Sequence, residues 1–158
     1  MAIPAYMFLK DDGGADIKGS VDVQGRDGSI EIHTFGHSLS IPTDDRTGKL
    51  TGTRVHGAMM VEKDFDSSSP YLYKAVATGR KLKSAEIKWY KINDAGQEVE
   101  YFNMYLEGVT VVSVNPSMIR HEKINHVEHV ALRYERITWK YVDGNVQYTD
   151  SWNERAKA

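Results

Sequence analysis

The chain has 158 residues, 41% of them apolar, and its 20 basic and 22 acidic side chains leave a formal net charge of −2. A chain of this length forms one domain that buries roughly 68–70% of its unfolded surface, so we expect a single domain over residues 1–158. The charges are interspersed, which argues against a nucleic-acid-binding face. The absence of cysteine excludes disulfides, thiolate metal sites and thiol catalysis.

The N-terminal stretch MAIPAYMFLKDDGG has no basic region followed by a long apolar one, as a signal peptide would have. No segment approaches the ~20 consecutive apolar residues of a membrane helix. We therefore expect no membrane insertion, and export, if it occurs, by a route that needs no signal peptide.

Alternating apolar and polar residues predict strands along most of the chain. The first three are YMFLK, SVDVQ and SIEIHTF, with a turn at GRDG between the second and the third. Residues 43–54 show neither a strand nor a helix period, and they predict a long exposed loop. Further strands are predicted at VHGAMMVEKDF, at AEIKWYKI, and, after a turn at NDAGQ, along EVEYFNMYLEGVTVVSVNP.

One helix is predicted, at about residues 69–78, within SSSPYLYKAVATGRKL. Ser69 is expected as the N-cap, Pro70 at the first helical position and Gly79 just beyond the end. Apolar residues recur between them at helical spacing. Capping explains the three serines, and no pattern pairs them with a base for nucleophilic catalysis.

In HVALRYERITWKYV the apolar parity changes between Tyr134 and Ile137, which predicts a β-bulge or a strand that switches faces. Asp143-Gly144, before NVQYTD, predicts a type I′ hairpin turn. Together these elements predict a mainly β fold. We expect a compact antiparallel β-barrel or sandwich with one short flanking α-helix (about 69–78) and a long protruding loop (about 43–54).

The stretch DDRTGKLTG within the predicted loop contains a Gly-Lys pair but is not a phosphate-binding loop. Such a loop requires G-x-x-x-x-G-K-[ST], because its glycines let backbone N–H groups surround phosphate and its hydroxyl holds magnesium. Here Thr43 stands where the first glycine belongs, and Leu50 where the hydroxyl residue belongs. The loop needs another function.

Five histidines are candidate metal ligands by residue type. They fall into two groups along the chain, and neither group has the spacing of a metal site. His33 and His37 share one face of a predicted strand but lie about 13 Å apart. His121, His126 and His129 have no spacing of the H-E-x-x-H kind. The carboxylates likewise form no pair with distinct environments. We expect no metal, no cofactor and no catalytic site.

The segments themselves resemble those of a known family, essentially from end to end. They are AYMFLKDD…IKGSVDV, SIEIHTFGHSLSIP, TGKLTGTRVHGAMMVEKDFDSSSPYLYKAVATG, AEIKWYKINDAGQEVEYFNMYLEGVTVVSV and RYERITWKYVDGNVQYTDSWNERA. In this order they resemble the hemolysin-coregulated protein (Hcp) family, the inner-tube subunits of bacterial type VI secretion systems.

The resemblance implies that six copies form a flat ring and that rings stack into a tube. A contractile sheath drives the tube out of the cell, a trimeric spike protein of the VgrG type caps it, and its lumen can carry secreted effectors. The chain is thus expected first in the cytoplasm and then outside the cell.

The resemblance also assigns surfaces. Its ring-stacking loop matches Thr43, Asp44, Asp45, Arg46, Thr47, Gly48, Lys49, Leu50, Thr51, Gly52, Thr53 and Arg54. Its lumen-facing strand matches Gly36, His37 and Ser38, although Gly36 stands where the family has a small polar residue that holds cargo. Tyr101 and Phe102 point to opposite faces of one strand, so we expect a neighbouring subunit to cover one of them.

Two other functions compete with the tube subunit. One is a ring-shaped binding module or chaperone for effectors that does not build tubes as its main task. Deleting Thr47 to Gly52 separates these two, because it should leave rings intact and abolish tube growth only for a tube subunit. The other is a small β-barrel enzyme or carbohydrate binder, which would have a ligand pocket lined by Trp or Tyr.

Overall fold

The computed structural model describes residues 3–120 and 125–152, and strands dominate this part of the chain. The strands are β1 (Ala5–Lys10), β2 (Asp16–Ile17), β3 (Ile30–Ile32), β4 (Thr34–Gly36), β5 (Leu39–Ser40), β6 (Val55–His56), β7 (Met59–Asp64), β8 (Leu82–Ile92), β9 (Glu98–Ser117), β10 (Val127–Arg133), β11 (Arg136–Tyr141) and β12 (Val146–Ser151). The described part contains one helix, α1 (Ser69–Thr78). The predicted mainly β fold with a single short helix is confirmed.

Two antiparallel sheets share the long strand β9. Its first half pairs with β8 on one edge and with β11 on the other, and its second half pairs with β10. On the first sheet β8 pairs with β1, and β11 pairs with β12. On the second sheet β10 pairs with β7, which pairs with β4.

The segment Ile30–Gly36 joins the remaining edges of the two sheets. Its first part, β3, pairs with β1, and its second part, β4, pairs with β7. His33 lies between them, and its backbone N–H donates to the carbonyl oxygen of Glu62 at 2.9 Å. The hydrogen-bonded path through β1, β8, β9, β10, β7 and this segment therefore returns to β1, and the strands enclose a barrel.

Aliphatic side chains fill the barrel because alternate residues of each strand point inward. The side chains at most 2% exposed include Met7, Leu9, Ile30, Met59, Ile87, Leu106, Val109, Leu132 and Ile137. Full burial of one such side chain contributes about 1.5–3 kcal/mol. This apolar interior is the main source of stability for the fold.

Helix α1 covers one side of the barrel through its buried residues Leu72 and Ala75. It ends at Gly79, whose φ of 67° is the left-handed conformation expected beyond a helix end. The predicted N-cap was one residue too late, since the N-cap is Ser68 and Ser69 is already helical. The reason is that the Ser69 hydroxyl points inward, to Glu128 at 3.0 Å.

The predicted strand at SVDVQ (residues 20–24) was wrong. This stretch lies in a loop that satisfies its backbone groups locally: Val21 N–H donates to Ser29 O at 3.2 Å, and Gly28 N–H to Val21 O at 2.9 Å. Val23 is 40% exposed, so the alternation does not reflect a buried face.

The parity change in HVALRYERITWKYV was interpreted correctly. The register shifts between Ala131 and Leu132, and β10 ends before Tyr134 while β11 begins after it. The following hairpin is present, but its turn is not the predicted two-residue Asp143-Gly144. Tyr141 pairs with Val146 across a four-residue connection, in which Gly144 and Asn145 have positive φ.

Candidate functional site

A two-stranded arm projects from the barrel at residues 38–57. The Gly57 N–H donates to Ser38 O at 2.9 Å, and β5 and β6 pair next to it. Every residue from 38 to 53 is exposed. The predicted protruding loop is therefore present, but it begins earlier than expected and its two sides form a short ladder. At ~3.3 Å per residue the arm reaches up to about 25 Å from its base.

The tip of the arm is ordered by its own hydrogen bonds. Thr43 and Leu50 form an isolated bridge, and the Asp44 N–H donates to Lys49 O at 2.7 Å. The Asp44 carboxylate accepts the N–H groups of Arg46 and Thr47, each at 2.8 Å. These backbone donors, Thr47 first, hold the pKa of Asp44 below its usual value. The Gly-Lys pair of the sequence thus closes a turn.

Four apolar side chains lie exposed on the arm. Leu39 is 47% exposed, Ile41 45%, Leu50 65% and Val55 46%. A two-stranded ribbon is marginally stable in water unless its apolar side chains pack against something. The exposed apolar side chains of the arm are therefore typical of a segment that packs against another surface.

A chain of polar side chains fixes the arm to the barrel, and we call it the arm base: His37, Arg54, His56, Tyr134 and Asp150. The Tyr134 hydroxyl lies between two imidazoles, 2.8 Å from His37 Nε2 and 2.5 Å from His56 Nδ1. His56 Nε2 lies 2.7 Å from Asp150 Oδ2, and Arg54 Nε donates to the same oxygen at 2.7 Å. Both strands of the arm are thereby tied to the body.

The arm base is half-buried to buried, and this sets its charges. Burial raises the pKa of the Tyr134 hydroxyl far above its usual value, so this group stays protonated. The Arg54 guanidinium is the largest cause that lowers the pKa of Asp150, and His56 adds to the effect. Burial lowers the pKa of His37, and the charge of His56 lowers it further.

Aromatic rings enclose these polar groups. Trp139 stacks on His56 with centroids 6.3 Å apart and an interplanar angle of 18°. Trp139 also stacks on Tyr148, with centroids 6.2 Å apart and an interplanar angle of 10°. Trp152 meets His56 edge-on at 5.2 Å. The Trp139 and Trp152 rings thus shield the His56 imidazole, which is 2% exposed, and a hydrogen bond in such surroundings is stronger than in water.

The three residues predicted for the lumen start beside the arm. Gly36 and Ser38 are exposed, whereas His37 is half-buried and directed to Tyr134. A Cβ atom at Gly36 would meet nothing within 4 Å. Gly36 pairs with Met60, on the outer face of the second sheet together with Glu62. The lumen assignment stays a prediction.

Tyr101 and Phe102 are both half-buried, so neither is sealed inside the core. Phe102 pairs with Trp89 on β8 and with Tyr141 on β11. The Lys91 ammonium lies 5.7 Å from the centroid of the Tyr101 ring. Coverage of one of these two side chains by a neighbouring subunit stays a prediction.

A buried ion pair lies under the first turn of α1. Lys63 Nζ, with a fully buried side chain, lies 2.8 Å from Glu128 Oε2 and 3.1 Å from Asp66 Oδ1. It also donates to Ser69 Oγ at 3.2 Å. This cluster was not predicted from the sequence. Lys63 has the inward parity of Met59 and Val61, but a lysine side chain is normally exposed.

A groove of about 360 Å³ lies beside Trp89, with Phe35, Pro4 and Ile32 in its walls. Its walls are largely apolar, and the Trp89 Nε1 atom is buried without a partner among the described residues. Among the described residues that line the groove, no nucleophile is hydrogen-bonded to a base.

Within residues 3–120 and 125–152 no group of three His, Asp or Glu side chains could hold a metal ion. His121, considered as a ligand, lies outside these residues. Among the described helical residues there is also no helix long and apolar enough to cross a membrane.

The fold and the site define a class: a small antiparallel β-barrel protein with a projecting arm. Comparison with known proteins identifies the family. The family described as "Type VI secretion system effector, Hcp" matches residues 6–141. The "Major exported protein" of Pseudomonas aeruginosa is 31% identical over 166 residues, which cover 96% of either chain.

Solved structures give the same result. Hcp1 from E. coli EAEC 042 is 67% identical, with a TM-score of 0.89 over 96% of this chain and 99% of that one. Hcp3 from Pseudomonas aeruginosa is 26% identical, with a TM-score of 0.78 over 96% and 99% of the two chains.

The chain belongs to the Hcp family of secreted type VI secretion proteins. The resemblance seen in the sequence is confirmed, and with it the function of a tube subunit that associates with itself.

Proposed function

We propose that six copies of the chain form a flat ring and that rings stack through the arm into the tube. The carrying observation is the arm: it is ordered by its own hydrogen bonds, is anchored at its base, and exposes apolar side chains. Such a segment gains stability by packing on a second copy. A head-to-tail contact within the ring closes when its rotation divides a full turn.

We further propose that the chain has no catalytic activity of its own and acts with the spike protein, the sheath and effectors carried in the lumen. Thr34, Gly36 and Glu62 support a lumen-facing role for the outer face of the second sheet, because that face carries polar or small residues there beside the exposed Met60. Export follows the tube itself, from the cytoplasm to the outside of the cell.

The test of ring stacking is Leu50→Asp. Leu50 is 65% exposed, so the substitution should leave the fold and the rings unchanged, whereas a charge in the stacking contact should prevent tube growth. The measurement is the mass of the particles by light scattering, followed by negative-stain imaging.

The matched control is Ile92→Asp, at the tip of the β8–β9 hairpin, where Ile92 is 61% exposed. We expect this variant to stack like the original chain. If Leu50→Asp still grows tubes of normal length, the arm is not the stacking element. If it cannot form rings at all, the arm belongs to the contact within the ring.

A further inference from the structure

The arm base is a chain of hydrogen bonds whose direction depends on protons. Asp150 accepts from Arg54 and from His56, so Nε2 of His56 carries a hydrogen atom. Tyr134 has one hydroxyl hydrogen and two nitrogen neighbours. With both imidazoles neutral, Tyr134 donates to His56 Nδ1 and accepts from His37 Nε2–H.

One added proton fits this chain. If it binds His56, the ring donates through Nδ1 to Tyr134 and through Nε2 to Asp150. The Tyr134 hydroxyl then turns to His37 Nε2, which accepts in the other neutral tautomer. His37, Tyr134, His56 and Asp150 all keep their hydrogen bonds in this arrangement.

A second proton does not fit. It makes the facing nitrogens of His37 and His56 both donors, although they lie 2.8 and 2.5 Å from the same Tyr134 oxygen. The hydroxyl hydrogen then has no acceptor between the two rings. Two positive rings are also held on opposite sides of one oxygen atom.

The surrounding charges increase this penalty. Arg54 of the arm and Arg133 at the end of β10 are positive, and Arg133 Nη1 lies 3.4 Å from His56 O. Among the described residues, Asp150 on β12 is the one carboxylate with a hydrogen bond or ion pair to His37 or His56, and it already binds Arg54. Tyr134 stays protonated, so it supplies no anion beside a second imidazolium.

We propose that the arm base holds one added proton but not two, so that acidification frees His37 and loosens the first strand of the arm. A lowered pKa of His37, caused by burial and by His56, agrees with this order. Because neutral His37 is the folded form, its contribution is complete above the usual histidine pKa of about 6.5 and is lost as the pH falls below it. The consequence for tubes rests on the proposed stacking function; the loosening of the arm does not.

The test is hydrogen exchange of unstacked rings of the full chain at about pH 7.5 and about pH 5.5, read as protection relative to the intrinsic rate at each pH. We expect protection of residues 38–57 to fall about tenfold at the lower pH, the factor that one pKa unit represents. The turn at residues 93–97 should keep its protection and serves as the internal reference.

His37→Gln keeps a side-chain amide that can donate to Tyr134 but cannot be protonated. The loss of arm protection between the two pH values should therefore shrink to below about twofold. His33→Gln is the matched control: His33 pairs with Asp64 on the barrel, away from the arm, and should behave like the original chain. The proposal is overturned if the protection of the arm falls as much in His37→Gln as in the original chain, or if it does not fall in the original chain.

Should His37→Gln not fold, Tyr134→Phe gives the second test, because it removes the shared oxygen atom. Its arm should be less protected at both pH values and lose the pH dependence; a pH dependence that persists contradicts the proposal. Light scattering of stacked rings separates the two hypotheses. If the arms lose protection while the tubes persist, only stacking through the arm is contradicted. If the tubes dissociate while the arms stay fully protected, the proposed loosening of the arm by protons is contradicted.

Discussion

Leu106 in the barrel and Leu50 on the arm are the same side chain in opposite surroundings, 0% and 65% exposed respectively. Leu106 packs in a continuous apolar core that spans both sheets. The arm has no such core: its tip depends on backbone hydrogen bonds and its base on five polar side chains. Apolar packing hardly responds to protons, whereas hydrogen bonds of titratable groups do. The chain therefore combines a body held mainly by apolar packing with an arm whose base consists mainly of titratable groups.

The polar groups of the two regions differ in the same way. Lys63 and Glu128 are a charged pair at 0% and 1% exposure under α1, and Lys63 has a second carboxylate, Asp66, at 3.1 Å. The arm base is more accessible, with Arg54 27% exposed. Loss of a charge partner should lower the stability of the whole fold at the Lys63 cluster, but mainly that of the arm at the arm base.

The largest effect is expected from Lys63→Met. It leaves Glu128 and Asp66 buried without their cation, and we expect the free energy of unfolding to fall by about 3–5 kcal/mol. Urea unfolding measures the loss. The double variant Lys63→Met, Glu128→Met should recover part of it, because Glu128 is then no longer buried without a cation, whereas Asp66 still is. A single variant as stable as the original chain would show that the pair is dispensable.

An intermediate effect is expected from Asp150→Asn. Arg54 and His56 lose a charged acceptor, and we expect a loss of about 1–2 kcal/mol near neutral pH, with faster exchange of the Gly57 amide. The lowered pKa of Asp150 means that its contribution is present above the usual aspartate value of about 3.9 and disappears as the pH falls further.

Asp143→Asn, in the exposed turn of the same hairpin, is the control for Asp150→Asn. Equal stability losses in the two variants would mean that the arm base adds nothing specific. The difference between Asp150→Asn and the original chain should also close at strongly acidic pH, and a constant difference would contradict the charge-based explanation.

The smallest effect is expected from Asp44→Ala at the tip. The urea midpoint should not change, while the amides of Arg46 and Thr47 exchange roughly fivefold faster, because they lose their acceptor. Since the pKa of Asp44 lies below its usual value of about 3.9, this difference should be constant from about pH 5 to pH 8. Asp45→Ala is the control, and an equal increase there would show that the tip is not held by Asp44.

Periodic segments were predictable from the sequence because their surroundings are uniform over their length. The short strand β7 alternates buried and more exposed residues over its length, and α1 combines Pro70 near its start with Gly79 at its end. The change of apolar parity near Tyr134 also predicted the break between β10 and β11. In each case the local pattern and the tertiary packing agree.

The arm base could not be predicted because its members are far apart in the chain. His37 and Tyr134 are separated by 97 residues, and His56 and Asp150 by 94. No spacing rule covers such a set. Taken singly, Tyr134 looks like part of the apolar alternation and Arg54 like an exposed loop residue. The buried Lys63 was missed for the same reason, since its partner Glu128 lies 65 residues away.

The sharing of β9 between the two sheets has a mechanical consequence. Its 20 residues span about 65 Å if fully extended, and they form one uninterrupted covalent strand through both sheets. Pulling the sheets apart along this strand would require sliding it past β8, β10 and β11, with many ladder hydrogen bonds strained at once instead of one after another. A subunit built in this way resists extension along β9.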